Sequence, residues 1–272
     1  MHLPCTWKLH LDNLEILELS GCWWRELKSL HFPNLKELEV NNCGRSALFT
    51  ISGFRSLKQL QTLNISDCDL LEEIVEDVRG DEHDEMDSKT VIELSQLISV
   101  DFKNLPNLKS FMGGANYECY MPALTELEVN NCELSSLFFF GDLQQPESMK
   151  FSKLEKLTLV SLQSPTSFYR KKKEMDSISS VQFQPLFDGM VAFPSLNELI
   201  IEDLEITDIW GEHYSKDNVV SSSVCKLKSL EVKKCSKLDS VIPVSMLDRL
   251  HNLEDLFIED CSRLRNAFPP VK

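Results

Sequence analysis

The sequence predicts an α/β solenoid, in which short parallel strands stack side by side into a curved sheet and their connections form the opposite face. Three observations predict this fold class. A nine-residue template recurs nine times, its apolar positions alternate as in a strand, and the 272 residues are 42% hydrophobic and 26% charged, as in an ordinary globular protein. Because one short strand cannot bury its apolar face alone, successive copies must pack against each other.

The template reads L-x-x-L-x-[LIVF]-x-x-[CL], with Val100 at the fourth position of one copy. The nine copies begin at Leu14, Leu35, Leu60, Leu97, Leu124, Leu154, Leu196, Leu227 and Leu253. Several steps between these starts fall in or near the range of about 20 to 29 residues typical of leucine-rich repeats. We therefore expect a single leucine-rich-repeat domain over residues 1–272, with about nine repeats and a parallel sheet on its concave face.

The elements of each repeat follow from the same template. The fourth and sixth positions are apolar and two residues apart, which places both side chains on one face of a strand. The residue between them must then face solvent on the concave sheet. We expect irregular loops and short helices on the convex side, lined by further apolar residues: Leu27, Leu48, Leu71, Ile74, Leu108, Phe111, Leu137, Leu238 and Val241.

Six copies of the template end in cysteine: Cys22, Cys43, Cys68, Cys132, Cys235 and Cys261. A metal or redox site and a buried thiol at the bend after the strand are the two interpretations. One cysteine per repeat lacks the paired C-x-x-C spacing of zinc sites, and leucine replaces it in three copies, so the pattern favours buried structural thiols. The odd total of nine cysteines, with no visible secretory signal, predicts reduced thiols and a cytoplasmic location.

Three long insertions are expected, at about 75–93, 168–192 and 211–224. Between Glu72 and Asp87 the chain carries nine acids against one base, which indicates a solvated loop or a docking surface for a basic partner. The second insertion carries Arg170 and three lysines after it. We interpret this run as a charged loop tip, with a localisation signal or a contact for an acidic partner as alternatives. The third insertion ends in a serine run typical of flexible linkers.

The charge and the missing motifs argue against several classes of function. A formal net charge of −15 disfavours nucleic acid or an anionic membrane surface as the partner. The longest aromatic and aliphatic run, residues 137–140, is far shorter than the roughly 20 residues of a membrane span. No Gly is followed by Lys, no G-x-G-x-x-G occurs, and no His stands in a recognisable triad. We therefore expect no enzyme activity, no cofactor and no metal.

The solvent-facing strand positions are the candidate protein-binding residues. Their acidic members form a stripe through the first five repeats: Glu18, Glu37, Glu39, Asp101, Glu126 and Glu128. Asn64, Thr158 and Glu231 occupy the central position in other repeats. Ile200 and Phe257 are apolar at that position, where a polar residue would suffice, and exposed apolar groups indicate contact. The alternative is that any acidic protein places acids at its solvent positions.

Five longer phrases go beyond the general repeat. They are FPNLKELEV from Phe32, CDLLEEIVED from Cys68, LPNLKSF with a glycine pair shortly after it from Leu105, MPALTELEV from Met121 and ITDIW from Ile206. With these phrases the chain resembles, over essentially its whole length, the leucine-rich region of plant intracellular immune receptors. These receptors are the coiled-coil, nucleotide-binding, leucine-rich-repeat disease resistance proteins.

The resemblance implies a function in protein recognition. Such receptors also carry a signalling coiled coil and a nucleotide-binding module, for which this sequence has no motif, so nucleotide binding is not transferred to it. The resemblance implies recognition of a pathogen effector or a guarded host protein, and restraint of the receptor's nucleotide-binding module. We then expect a fragment, a truncated product or a paralogue reduced to its repeats. The alternative function is a general protein-interaction scaffold or adaptor with no immune role.

Overall fold

The structure is a computed structural model that describes residues 11–21, 31–76, 90–109, 117–134, 136–140, 151–162, 167–171, 185–187, 192–211, 224–247 and 249–265. Over these ranges, fifteen strands and two short helices follow the repeat pattern of the sequence. The fold is the leucine-rich-repeat solenoid that the sequence predicts.

One nine-stranded parallel sheet runs through the described residues. Its strands are, in spatial order, β1 (Ile16–Ser20), β2 (Glu37–Asn41), β4 (Thr62–Ser66), β7 (Ser99–Leu105), β9 (Glu126–Cys132), β11 (Lys156–Val160), β13 (Glu198–Glu202), β14 (Ser229–Lys233) and β15 (Asp255–Glu259). Their spatial order is their order in the chain, so each repeat adds one strand beside the previous one. Every strand begins at the third position of its template copy.

The alternation of side chains within these strands builds the core. In β2 the side chains of Leu38 and Val40 are buried, whereas Glu37 and Glu39 are exposed. The leucine that opens each template also packs into this core, as Leu60 does. Because one repeat supplies too little apolar surface to be stable alone, burial against the neighbouring repeats at about 25 cal/mol per Å² drives the stacking.

The eighth template position bends the chain away from the sheet. Its nine residues all have a positive φ between 49 and 61°: Gly21, Asn42, Asp67, Asn104, Asn131, Ser161, Asp203, Lys234 and Asp260. Glycine, asparagine and aspartate reach this left-handed conformation at the lowest cost, which explains why seven of the nine residues are of these types. The bend turns the next residue, the template Cys or Leu, into the core.

A second layer of short strands follows these bends. β3 (Ala47–Thr50) pairs with β5 (Glu73–Glu76), β6 (Thr90–Glu93) with β8 (Tyr117–Tyr120), and β10 (Ser136–Phe140) with β12 (Ser167–Lys171), all in parallel. The sequence predicts loops and short helices at these places, so the strand pairs are an addition. They form because successive repeats bring equivalent segments side by side, where their backbone N–H and C=O groups pair.

The two helices in the described ranges are short, as the sequence predicts. α1 (Ile51–Arg55) begins after Thr50, whose hydroxyl accepts a hydrogen bond from the Gly53 N–H at 3.1 Å. The ring of Phe54 in α1 packs on that of Phe49 in β3, with centroids 5.6 Å apart. α2 (Val244–Leu247) begins about twenty residues after the end of the last expected insertion. None of the described helices is long and apolar enough to cross a membrane.

The expected insertions lie mostly outside the described residues. Of 75–93, the structure describes only the residues in β5 and β6; of 168–192, only 168–171 in β12, 185–187 and 192; and of 211–224, only the two end residues. Most of the acidic run up to Asp87 and the last two lysines of the basic run therefore lie outside as well. The three insertions and the single-domain boundary of 1–272 stay predictions.

Four of the five template cysteines that the structure describes occupy the bends as buried thiols. Cys43, Cys68, Cys132 and Cys235 are buried, which confirms the prediction for these four. Cys261 is half-buried because it belongs to the last described repeat, and Cys22 lies outside the described residues. Burial raises the pKa of the Cys68, Cys132 and Cys235 thiols from 9.0 to about 11.

The thiols of Cys68, Cys132 and Cys235 each donate a hydrogen bond to the backbone carbonyl two residues earlier in the chain. The S–H···O distance from sulfur to oxygen is 3.2 Å for Cys68, 3.4 Å for Cys132 and 3.3 Å for Cys235. This hydrogen bond fixes the thiol against its own strand. The left-handed residue lies between the donor and the acceptor. The cysteine is therefore part of the bend that every repeat uses.

The phrase ITDIW is explained by the packing of its apolar residues. Ile206, Ile209 and Trp210 are all buried. The indole N–H of Trp210 donates to the carbonyl of Val241 in the following repeat at 3.0 Å, and its ring centroid lies 5.3 Å from that of Phe187. The tryptophan thus joins neighbouring repeats, which gives this part of the resemblance a structural reason.

Candidate protein-binding face

The concave face is the solvent-facing side of the nine-stranded sheet, and the strand register arranges it in three columns. The third residues of the strands form the central column: Glu18, Glu39, Asn64, Asp101, Glu128, Thr158, Ile200, Glu231 and Phe257. The register places every central residue directly beside the next. Eight of the ten predicted binding residues therefore lie in one line.

Two flanking columns complete this face. The first residues of the strands form the upstream column: Ile16, Glu37, Thr62, Ser99, Glu126, Lys156, Glu198, Ser229 and Asp255. The fifth residues form the downstream column: Ser20, Asn41, Ser66, Lys103, Asn130, Val160, Glu202, Lys233 and Glu259. The two remaining predicted residues, Glu37 and Glu126, lie in the upstream column.

The predicted binding residues differ in how far they reach into solvent. Five of them are exposed: Glu18, Glu37, Glu39, Glu126 and Phe257. The other five are half-buried: Asn64, Asp101, Glu128, Ile200 and Glu231. Parallel strands lie about 4.8 Å apart, so the line from Glu18 to Phe257 is too long for one small site. Six of the seven predicted acids lie in the first five strands of the sheet, whereas Glu231 lies in β14 between the two apolar residues.

Lysines on the same face neutralise part of the acidic stripe. The Lys103 ammonium lies 2.7 Å from Asp101 Oδ2 and 3.1 Å from Glu128 Oε1. These hydrogen bonds, first to Asp101 and then to Glu128, raise the pKa of Lys103 above its usual value. Lys233 pairs in the same way with Glu231 on its own strand, and Lys156 with Glu198 at 3.1 Å. The stripe is therefore not a continuous row of free carboxylates.

Lys103 is not among the predicted binding residues, because it lies in the downstream column and the predicted residues lie in the other two. The signal was available, since the fifth residue of each strand also points to the solvent side of the pleat. Over the three columns, acids still outnumber lysines by eleven to three. Seven acids have no described ion pair with these lysines: Glu18, Glu37, Glu39, Glu126, Glu202, Asp255 and Glu259. The first three lie side by side in β1 and β2.

A depression of about 330 Å³ lies in the middle of the concave face. It is lined by Thr62, Asn64, Ser99, Val100, Asp101, Glu126, Leu127, Glu128, Lys156 and Thr158, which come from the four neighbouring strands β4, β7, β9 and β11. Two buried oxygen atoms of its lining residues, Asp101 Oδ1 and Thr158 Oγ1, have no hydrogen-bond partner within the described ranges. Thr158 is only 8% exposed although its column faces solvent.

The described residues offer no obvious place for a metal. No three His, Cys, Asp or Glu side chains come together as a possible metal-binding group within the ranges that the structure describes. The described template cysteines lie one per repeat, and Cys68, Cys132, Cys235 and Cys261 are hydrogen-bonded to their own strands. What the face can do is present aligned carboxylates, a few paired lysines and two apolar side chains to another molecule.

Stacked repeats with a long, polar, regularly spaced face define a protein-interaction module of the leucine-rich-repeat class. The family model described as "Plant disease resistance protein RPS2-like, leucine-rich repeats" matches residues 6–140 and 189–270. The chain belongs to this family, the leucine-rich repeats of RPS2-like plant disease resistance proteins, which form a non-catalytic repeat module. Comparisons with curated proteins and with solved structures found no match.

Proposed function

We propose that this chain is the protein-recognition module of a plant intracellular immune receptor that acts in the cytoplasm. Its concave face binds a pathogen effector or a guarded host protein, or it restrains the receptor's nucleotide-binding module. Membership of the RPS2-like family supports the receptor class. The observation that carries the choice of face is the alignment of Glu18, Glu39, Asp101 and Glu128 in one column of the sheet.

The charge of the concave face favours a basic partner surface. Carboxylates in neighbouring strands lie close enough for their potentials to add, and they attract a cationic surface before contact is made. Such a field raises the association rate and excludes acidic partners more than it strengthens the final complex. Because Lys103 and Lys233 cover some of the acids, the exposed acids without a described lysine partner, Glu37 and Glu39 among them, contribute most to this long-range effect.

The apolar residues at the other end supply a different kind of contact. Phe257 is 55% exposed in β15, and Ile200 is half-buried two strands away in β13. Between them lies Glu231, whose carboxylate is paired with Lys233. Exposed apolar side chains on a surface mark places where another protein can make contact. The partner is therefore expected to have a basic region and an apolar one along the same line.

A cross-linking experiment tests which face the partner contacts. A photoreactive amino acid replaces Ser66 on the concave face or, as the matched control, the exposed Arg55 of α1 on the other layer. The probe is the purified nucleotide-binding module of a plant disease resistance protein. We expect a cross-linked product from position 66 and none from position 55. A product from position 55 alone would mean that the concave face is not the binding face.

A further inference from the structure

The depression in the concave face has unsatisfied hydrogen-bonding capacity at two atoms. Asp101 uses Oδ2 to accept from Lys103 at 2.7 Å, but its buried Oδ1 accepts no hydrogen bond from any described residue. Thr158 is more than nine-tenths buried, and its Oγ1 has no partner in the part of the chain that the structure describes. Burying a polar atom without a hydrogen-bond partner costs free energy, so few such atoms occur in folded proteins. Both residues line the same depression, so a donor that enters it can pair with these two oxygens once the Lys103 side chain moves aside.

The chemistry of the lining specifies a cation with several donors. Asp101, Glu126 and Glu128 contribute carboxylates, and Asn64 adds an amide, to a depression that spans four strands. Asp101 and Thr158 lie in β7 and β11, with β9 between them, and neighbouring strands are about 4.8 Å apart. One compact ammonium cannot reach acceptors on both sides of β9. A guanidinium is flat, carries five N–H donors in a fixed fork and is less strongly hydrated, so it suits this arrangement better.

A cation of the protein itself, the Lys103 ammonium, already binds two of the carboxylates of the depression. Lys103 bridges Asp101 and Glu128, and its side chain is 41% exposed, so it can leave without unpacking the core. Lys156 lines the opposite side and is held by Glu198 of the next strand at 3.1 Å. An incoming cation would replace Lys103 between the two carboxylates and would also reach the Asp101 oxygen that Lys103 leaves unused.

We propose that this depression is a specificity pocket for an arginine side chain of the protein partner. The inference rests on the proposed function, because it names the group by which the concave face would recognise a basic protein. The guanidinium donates to Asp101 and Glu128 on one side and to Thr158 Oγ1 on the other, and Lys103 swings into solvent. Arginine is then preferred over lysine at equal charge, since only the fork serves acceptors on three strands.

Two peptides of equal charge test the preference. Hexa-arginine and hexa-lysine are titrated into the full chain by isothermal calorimetry at low ionic strength. We expect the arginine peptide to bind about tenfold more tightly, the difference that one or two charge-assisted hydrogen bonds produce. Asp101→Asn and Thr158→Val should remove most of this preference. Glu202→Gln is the matched control, since Glu202 is a lysine-paired acid of the same face outside the depression.

A gain of affinity provides the second arm of the test. Lys103→Met removes the competing cation and should strengthen binding of hexa-arginine by about tenfold. Lys233→Met removes the same charge from the same column, next to Glu231 and outside the depression, and should change binding by about twofold through the general field alone. Circular dichroism confirms that each variant keeps the fold.

The outcomes separate this inference from the proposed function. Equal binding of the two peptides, no binding of either, or an equal response of Lys103→Met and Lys233→Met overturns the arginine pocket. If the cross-link from position 66 still forms in that case, the concave face remains the binding face and only the pocket is wrong. If position 66 gives no cross-link, the proposed function fails irrespective of the peptide result.

Discussion

At the residue scale, the left-handed position before the template Cys or Leu is the most demanding in each repeat. Asn42 has a φ of 52° and an exposed side chain, and only its backbone N–H is tied, to the carbonyl of Ser66 at 3.0 Å. The residue type there is thus chosen by the backbone and not by a side-chain contact. This makes Asn42 a clean place to measure the cost of the bend.

Replacing Asn42 tests this backbone requirement. Asn42→Val puts a β-branched side chain into the left-handed region and should lower the free energy of unfolding by about 1–2 kcal/mol. Asn42→Gly is the control, and it should change the stability by about 0.5 kcal/mol or less, because glycine adopts this conformation freely. Urea denaturation measures both. Equal losses for the two variants would show that the asparagine side chain matters and the φ angle does not.

The buried thiols make a second prediction at this scale. Cys132 is fully buried, and leucine stands at the same template position in three repeats. Cys132→Leu should therefore cost about 1–2 kcal/mol of stability through local overpacking. Cys132→Asp buries an unpaired carboxylate and should cost about 3 kcal/mol or more. Thermal or urea unfolding compares the two, and stoichiometric zinc in the purified protein would contradict a structural role of the cysteines.

The same thiols predict how stability depends on pH. In the unfolded chain a thiol ionises near its ordinary pKa of 9.0, whereas Cys68, Cys132 and Cys235 keep their protons in the folded protein up to about pH 11. The folded state therefore binds more protons in this window, and the free energy of unfolding falls as the pH rises from about 9 to about 11. Urea unfolding across the window measures the slope, and Cys132→Leu should make it shallower. A flat or rising profile would contradict the raised pKa values.

At the element scale, the strands at the two ends of the described sheet are less well buried than those in the middle. Leu17 of β1 and both inward residues of β15, Leu256 and Ile258, are half-buried, whereas Val100 and Phe102 of β7 are fully enclosed. Fewer apolar contacts mean that less free energy is needed to open a strand locally. The ends of the sheet should thus be its most mobile elements.

Hydrogen exchange tests this gradient directly. We expect the amides of β1 and β15 to exchange at least about tenfold faster than those of β7 and β9, because local opening costs less at the ends. The internal control is β2, which should be close to the middle strands since Leu38 and Val40 are buried. Uniform protection from β1 to β15 would mean that the sheet opens only as a whole.

The sequence predicts the strands of the large sheet well because their rules are local. The apolar alternation and the repeat spacing place all nine strands two residues after each template start. The short strands β3 and β5 are different, since their pairing joins segments of two repeats and their few apolar residues have no strict alternation. No residue pattern within either segment indicates that the two segments pair. The pattern of a single repeat therefore predicts loops at these places.

The candidate site also has a part that the sequence predicts and a part that it does not. Which residues face solvent, and in which column, follows from the pleat, and the register of Glu39 beside Asn64 agrees with it. The pairing of Lys103 with Glu128 and the burial of Thr158 depend on side chains of neighbouring strands, whose distances are not encoded within one repeat. The depression could therefore not be predicted from the template alone.

At the scale of the whole molecule, two acidic regions compete as the source of the protein's electrostatic field. One is the concave face with Glu18, Glu39 and Glu128, and the other is the acidic run between Glu72 and Asp87, which lies mostly outside the described residues. Both contribute to the net charge of −15. The acids of the concave face are aligned by the sheet, so they can match a partner surface with fixed geometry.

The association rate with the nucleotide-binding module, measured by stopped flow as a function of salt, tests the central claim most directly. Reversing the concave charge with Glu39→Lys and Glu128→Lys should slow association by about tenfold at low salt and flatten its salt dependence, because the steering field is lost. Replacing the six acids between residues 77 and 87 by their amides is the matched control, and it should have a smaller effect. If the neutralised run abolishes association and the two reversals change nothing, the concave column is only a solvated surface.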